Sequence, residues 1–122
     1  MTAHFVKFNQ PRGFDALRDE TQGFTEIVFA NRVPSIHPGD RLVIYNVADG
    51  HIPTVVTVTG KVYRRTDGDN FERWPFAVPA EPGEISPRGP KFAFAPPGQA
   101  NPRRIDDELL AKCERYVHLN RA

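Results

Sequence analysis

Cysteine is almost missing from this chain. The single Cys113 excludes an internal disulfide and any metal site built from cysteines alone. Long apolar runs are missing too. No stretch approaches the roughly 18 residues that would read as a membrane span, and no charged start leads into an apolar signal core. A soluble, cytoplasmic protein without a membrane partner is the expectation. Charge of one sign is not in excess either: 16 Lys and Arg against 15 Asp and Glu leave +1. That balance argues against a grossly basic coat for nucleic acid. It leaves a local basic groove open, because binding follows where charges sit rather than their sum.

Patterns for catalysis are equally sparse. Ser35 and Ser86 are the only serines, and no G-x-S-x-G elbow surrounds either. His4, His37, His51 and His118 show neither H-x-x-x-H nor H-E-x-x-H spacing, although three of them could still converge in space. Neither a metal nor a cofactor is expected. Cys113 falls on the apolar stripe of a helix and reads as a buried, inert thiol rather than a nucleophile. "DGDNFE" (67–72) opens like a calcium loop, but it lacks the glycine at the sixth place and the later glutamate, so a solvated hairpin turn is expected. Nothing here is positive evidence for an enzyme.

What is present is strand, turn and proline. At 122 residues a single domain is the sensible size. "HFVKFN" (4–9) predicts a first strand with Val6 and Phe8 on one face and Phe5, Lys7 and Asn9 on the other. "FDALRDE" (14–20) fits one or two helical turns, and "FTEIVFANRV" (24–33) fits strand or helix. In "HPGDRLVIYN" (37–46), Pro38, Gly39 and Asp40 predict a turn, and Leu42 to Tyr45 a strand covered on both faces. "PTVVTVTGKVYRR" (53–65) alternates Val56, Val58, Gly60 and Val62 against Thr57, Thr59, Lys61 and Tyr63. Gly60 in mid-strand predicts a bulge, a bend or a close-passing backbone.

Residues 75 to 102 hold eight of the 12 prolines. "WPFAVPA" (74–80) can then be a strand only at an edge or with bulges, and "KFAFA" (91–95) a short one. Asn101 as N-cap, Pro102 at N1 and acids from Asp106 to Glu108 predict a closing helix. Its stripe is Ile105, Leu109, Cys113, Tyr116 and Val117, with "YVHL" (116–119) a possible closing strand. The sum is α+β: a small, bent, mixed β-barrel of five or six strands with one or two short helices.

Binding features are more pointed. "KVYRRTDGDNFERWPF" (61–76) interleaves Lys61, Arg64, Arg65 and Arg73 with Tyr63, Phe71, Trp74 and Phe76. Cations beside flat rings suit phosphate contact and base stacking. Against that, Asp67, Asp69 and Glu72 nearly cancel the cations, and the rings could be core. Trp74 could equally be a core tryptophan, or a loop-borne ring bracketing a planar ligand with Tyr45.

The ordered set "HPGDRLVIYN", "TVVTVTGKVYRR" and "RWPFAVPAEP", with the ending "YVHLNRA", resembles the EVE branch of the PUA-like superfamily over residues 37 to 82 and the tail. The resemblance implies a bent barrel with an aromatic-lined pocket that holds a flipped or modified base, and DNA or RNA as partner. Carried over, Tyr45 matches the aromatic after the glycine–aspartate turn and Trp74 the one at the proline stretch. Asn9 takes a polar pocket position. The first strand lacks the usual opening, and residues 83–102 depart from the pattern.

The function expected is therefore a nucleic-acid-binding module. Its base pocket is formed by Tyr45, Trp74, Asn9 and Asn46, and its phosphate contacts by Lys61, Arg64, Arg65 and Arg73. Two alternatives stand beside it. One is a small ASCH-like hydrolase of a nucleoside-type amide, with Lys61 and Glu72 as acid and base. The other is a protein-interaction module using the proline-rich loop.

Overall fold

The computed structural model describes residues 2–10, 14–30, 34–68, 70–94 and 101–122. Along these residues run β1 (His4–Asn9), α1 (Phe14–Thr21), β2 (Glu26–Phe29), β3 (Arg41–Asn46), β4 (His51–Val58), β5 (Tyr63–Arg64), β6 (Phe76–Pro82), β7 (Arg103–Ile105) and α2 (Asp107–Leu119). The strands form one curled sheet in the order β2-β6-β4-β3-β1-β7, with β5 paired to β6. β1 and β3 are parallel, in register from His4↔Arg41 to Asn9↔Asn46. The other pairings are antiparallel. The result is a half-barrel with two short helices, an α+β domain as the strand and helix patterns predict.

The turn before β3 works as its residue types demand. Gly39 takes φ +93°, where a side chain would be strained. Asp40 is buried, accepting from the backbone N–H of Ala3 (2.9 Å) and of His37 (2.9 Å) through its two carboxylate oxygens. One short polar side chain thus ties the turn to the start of β1.

The central strands separate two cores. Inside the curl lie Phe5, Phe24, Ile27, Leu42, Ile44, Val56, Val58 and Val78. On the opposite face Val6, Phe8, Val43, Tyr45, Ile52 and Val55 pack beneath Leu110, Cys113, Tyr116 and Val117 of α2. Leu42, Ile44 and Val43 are wholly buried; a side chain so placed contributes about 1.5–3 kcal/mol by leaving water. Two faces, both covered, account for the unbroken apolar run.

Several local expectations need correction. The segment around Pro79 is internal: β6 pairs with β2 and β5 through its first half and with β4 through Ala80, Glu81 and Pro82. Pro79 sits where β6 exchanges partners, so its missing donor falls at the break between ladders. The strand expected over 53–65 is broken: β4 ends at Val58, β5 is Tyr63–Arg64, and Gly60 lies at a bend between them. A Cβ on Gly60 would stand 2.6 Å from Cγ of Pro79, so the close neighbour is a side chain and not a passing backbone. Residues 91–94 form no strand, and residue 95 lies outside the described residues. The helix cap is Asp106, not Asn101; the Asp106 carboxylate accepts from Leu109 N at 2.8 Å. Asn101 instead brackets the backbone of Phe8, accepting from its N–H and donating to its carbonyl, both at 3.0 Å. "YVHL" is helical throughout.

Candidate functional site

Polar side chains gather where the apolar interior of the curl ends. β1 alternates, so Phe5, Lys7 and Asn9 share its inner face. Lys7 is 1% exposed and Asn9 not at all. α1 lies over this end and supplies the partners. Lys7 Nζ lies 2.9 Å from Asp19 and 3.6 Å from Asp15, with the Phe29 ring centroid 5.5 Å away. Asp19, itself fully buried, also accepts from Asn9 Nδ2 (3.1 Å) and from Val28 N (3.3 Å). Burial pushes the Asp19 carboxyl upward, while Lys7 pulls against that shift. A buried ion pair survives only when its remaining bonding capacity is also used. Here three donors converge on one carboxylate.

Asn46 continues the group. It is the register partner of Asn9 across the parallel ladder, and its Nδ2 donates to Glu20 at 3.3 Å. The Oδ1 atoms of both Asn9 and Asn46 are buried and have no hydrogen-bond partner among the described residues. A buried polar atom without a partner is costly; His4 Nδ1, Arg18 Nε and Arg41 Nε share that condition. Each amide's orientation is fixed by the carboxylate its nitrogen meets.

A cationic and aromatic surface begins at the first turn of α1. The Phe14 and Trp74 rings lie 4.7 Å apart between centroids, at 33°. Arg73 stands 4.9 Å over Trp74, and Arg64 5.6 Å over Phe76. Arg64 also lines a shallow cleft of about 320 Å³ with Arg18, Glu26, Tyr63, Arg65 and Asp67.

The residues expected at the site meet different fates. Asn9 and Asn46 come together. Trp74 is half-buried at the surface beside Arg73. Tyr45 is 6% exposed, contacts Phe8 and Phe94 edge-on, and donates its hydroxyl to Phe92 O at 2.7 Å. It belongs to the core beneath α2, and no described ring contact joins it to Trp74, so the two-ring slot expected from sequence is not formed. The reason is strand parity: Tyr45 faces α2 because Asn46 faces the interior. Arg64 and Arg73 are exposed, as is Lys61. Arg65 is buried and donates to Trp74 O at 2.8 Å, so it holds the loop. Lys61 and Glu72 both face solvent, which removes the expected acid–base pair. Lys7, Asp15 and Asp19 were not singled out from sequence. The available signal was a lysine at an inward position of an otherwise apolar strand.

No family model matches the chain, and no curated protein matches it in sequence.

Proposed function

We propose that this chain is a nucleic-acid-binding module of PUA-like, EVE-type character that holds a modified or unpaired base at the α1 end of the curl. The observation that carries the reading is Trp74: half-exposed, backed by Phe14, and overlaid by the Arg73 guanidinium at 4.9 Å. A base stacking on Trp74 takes the place of the Arg73 guanidinium, which then turns to its phosphate. Arg64, exposed over Phe76, and the exposed Lys61 add cations on the same stretch of chain. Extruding a base costs a few kcal/mol and one aromatic stack returns roughly 1–3 kcal/mol, so single strands are the favoured ligand. In this reading Asn9 and Asn46, register partners on β1 and β3, read the base edge.

Trp74 is the only tryptophan, so its own fluorescence reports on the contact. Titration of an unlabelled single strand at low salt should quench it. The affinity should fall with added salt, with a log–log slope of about −2 if Lys61, Arg64 and Arg73 each meet a phosphate. The matching duplex should bind more weakly. An unchanged emission with single strands, modified or not, would contradict the reading.

A further inference from the structure

The cleft between α1 and β5 holds more positive charge than its own carboxylates match. We infer that it is a phosphate seat, in which Arg18 and Arg64 grip one phosphate group; that the group belongs to a bound strand rests on the proposed base-binding reading. The guanidiniums of Arg18, Arg64 and Arg65 line this cleft of about 320 Å³ against the carboxylates of Glu26 and Asp67, three against two. Glu26 is already occupied. It lies 3.0 Å from Arg18 Nη2 and 3.9 Å from Arg65 Nε, and it accepts from the Tyr63 hydroxyl. One carboxylate thus positions two arginines without using up their charge. The buried Nε of Arg18 has no hydrogen-bond partner among the described residues. Arg64 is exposed, with its guanidinium 5.6 Å from the Phe76 ring centroid, and among the described residues it makes no ion pair.

Charge and position narrow the ligand. A cation would meet three guanidiniums and be repelled. A singly charged phosphodiester balances the surplus of one, and its two free oxygens offer one acceptor to each guanidinium fork. Thr66, exposed on the turn that closes the cleft, adds a hydroxyl donor. A carboxylate carries the same charge, but it offers nothing to the stacking face nearby. Arg65 joins cleft and face: it donates to Trp74 O at 2.8 Å, and its guanidinium lies 5.9 Å from the Phe14 ring. Phe14 is the ring that backs Trp74. Base and phosphate would therefore meet two sides of one buried arginine, which itself frames the seat.

Titrations at one fixed ionic strength test this. The NMR signals of Arg18 Nε–H and of the Arg64, Thr66 and Gly68 backbone amides are followed while the full chain receives inorganic phosphate, acetate, cytidine or cytidine monophosphate. Phosphate and the monophosphate should shift these signals, and acetate and cytidine should leave them in place. In binding an unpaired strand, Arg18→Gln and Arg64→Gln should each cost about tenfold. Lys112→Gln removes an exposed charge on α2 and should cost nothing. If Arg18→Gln does not fold without its bond to Glu26, Arg64→Gln decides alone. Strands that quench Trp74 while binding Arg64→Gln as tightly as wild type would overturn the seat and leave base binding standing. Acetate acting as phosphate does would overturn the choice of phosphate. Shifts with phosphate, and no strand able to quench Trp74, would support the seat for a free phosphate and remove the nucleic-acid reading. Silence in every titration would overturn both.

Discussion

Tyr45 and Asn46 are neighbours in sequence and strangers in space. Tyr45 sits beneath α2 with its ring against Phe8 and Phe94 and its hydroxyl bound to Phe92 O. Asn46 faces the other way, into the polar end of the curl, beside Asn9 and below Glu20. The first region is closed, apolar and satisfied. The second, buried at Lys7, Asn9 and Asp19 and half-buried at Asn46, carries a lysine, a carboxylate and two acceptors without partners among the described residues. Among the described residues, what distinguishes the second region is its charge and its unused hydrogen-bonding capacity.

The contrast is sharpened most by cutting into the polar end. Lys7→Ala leaves Asp19 buried without its ammonium, and a broken buried pair should lower stability by about 3–5 kcal/mol in urea unfolding at neutral pH. Burial already raises the Asp19 carboxyl, and removing Lys7 raises it further. Between the ordinary carboxyl value near 3.8 and the raised one, the folded variant binds a proton that the unfolded chain has released, so its deficit should shrink as the pH falls through the raised value toward the ordinary one. A deficit independent of pH would show that Asp19 is not buried as a charge. In the apolar region Tyr45→Phe removes one hydrogen bond and should cost about 1 kcal/mol. The smallest effect at neutral pH is that of Cys113, whose thiol burial pushes up to about 12. Between the ordinary thiol value near 9 and that point, the unfolded chain loses a proton that the folded one keeps. The contribution is complete below the lower value and disappears as the pH rises through the higher. Cys113→Ala should flatten the alkaline decline by one proton's worth of slope, about 1.4 kcal/mol per pH unit.

How far the sequence disclosed this depends on the kind of signal. Apolar alternation located β1 and most of β4, a continuous apolar run located β3, and the turn chemistry of Pro38, Gly39 and Asp40 located its start, because those preferences are local. The two-core arrangement followed from an apolar run too continuous for a half-wet strand. The partners of β6 were not visible, since Pro79 argues for an edge unless one knows that the ladder changes hands there. Asn101 looks like a cap by composition, yet its amide serves Phe8, a residue 93 positions away. The same limit hid Asp19: its importance arises only once α1 crosses the end of β1. Asn9 and Asn46 were marked for their chemistry, and parallel pairing made them one group. Tyr45 was marked too, and the alternation of its own strand sent it to the opposite face.

The most direct trial compares Trp74→Ala with Tyr45→Phe in binding an unpaired strand at low salt. If recognition occurs at the α1 end of the curl, loss of the Trp74 ring should weaken binding about tenfold or more, while Tyr45→Phe should bind as wild type does. Wild-type affinity in Trp74→Ala, or an equal loss in Tyr45→Phe, would contradict that placement.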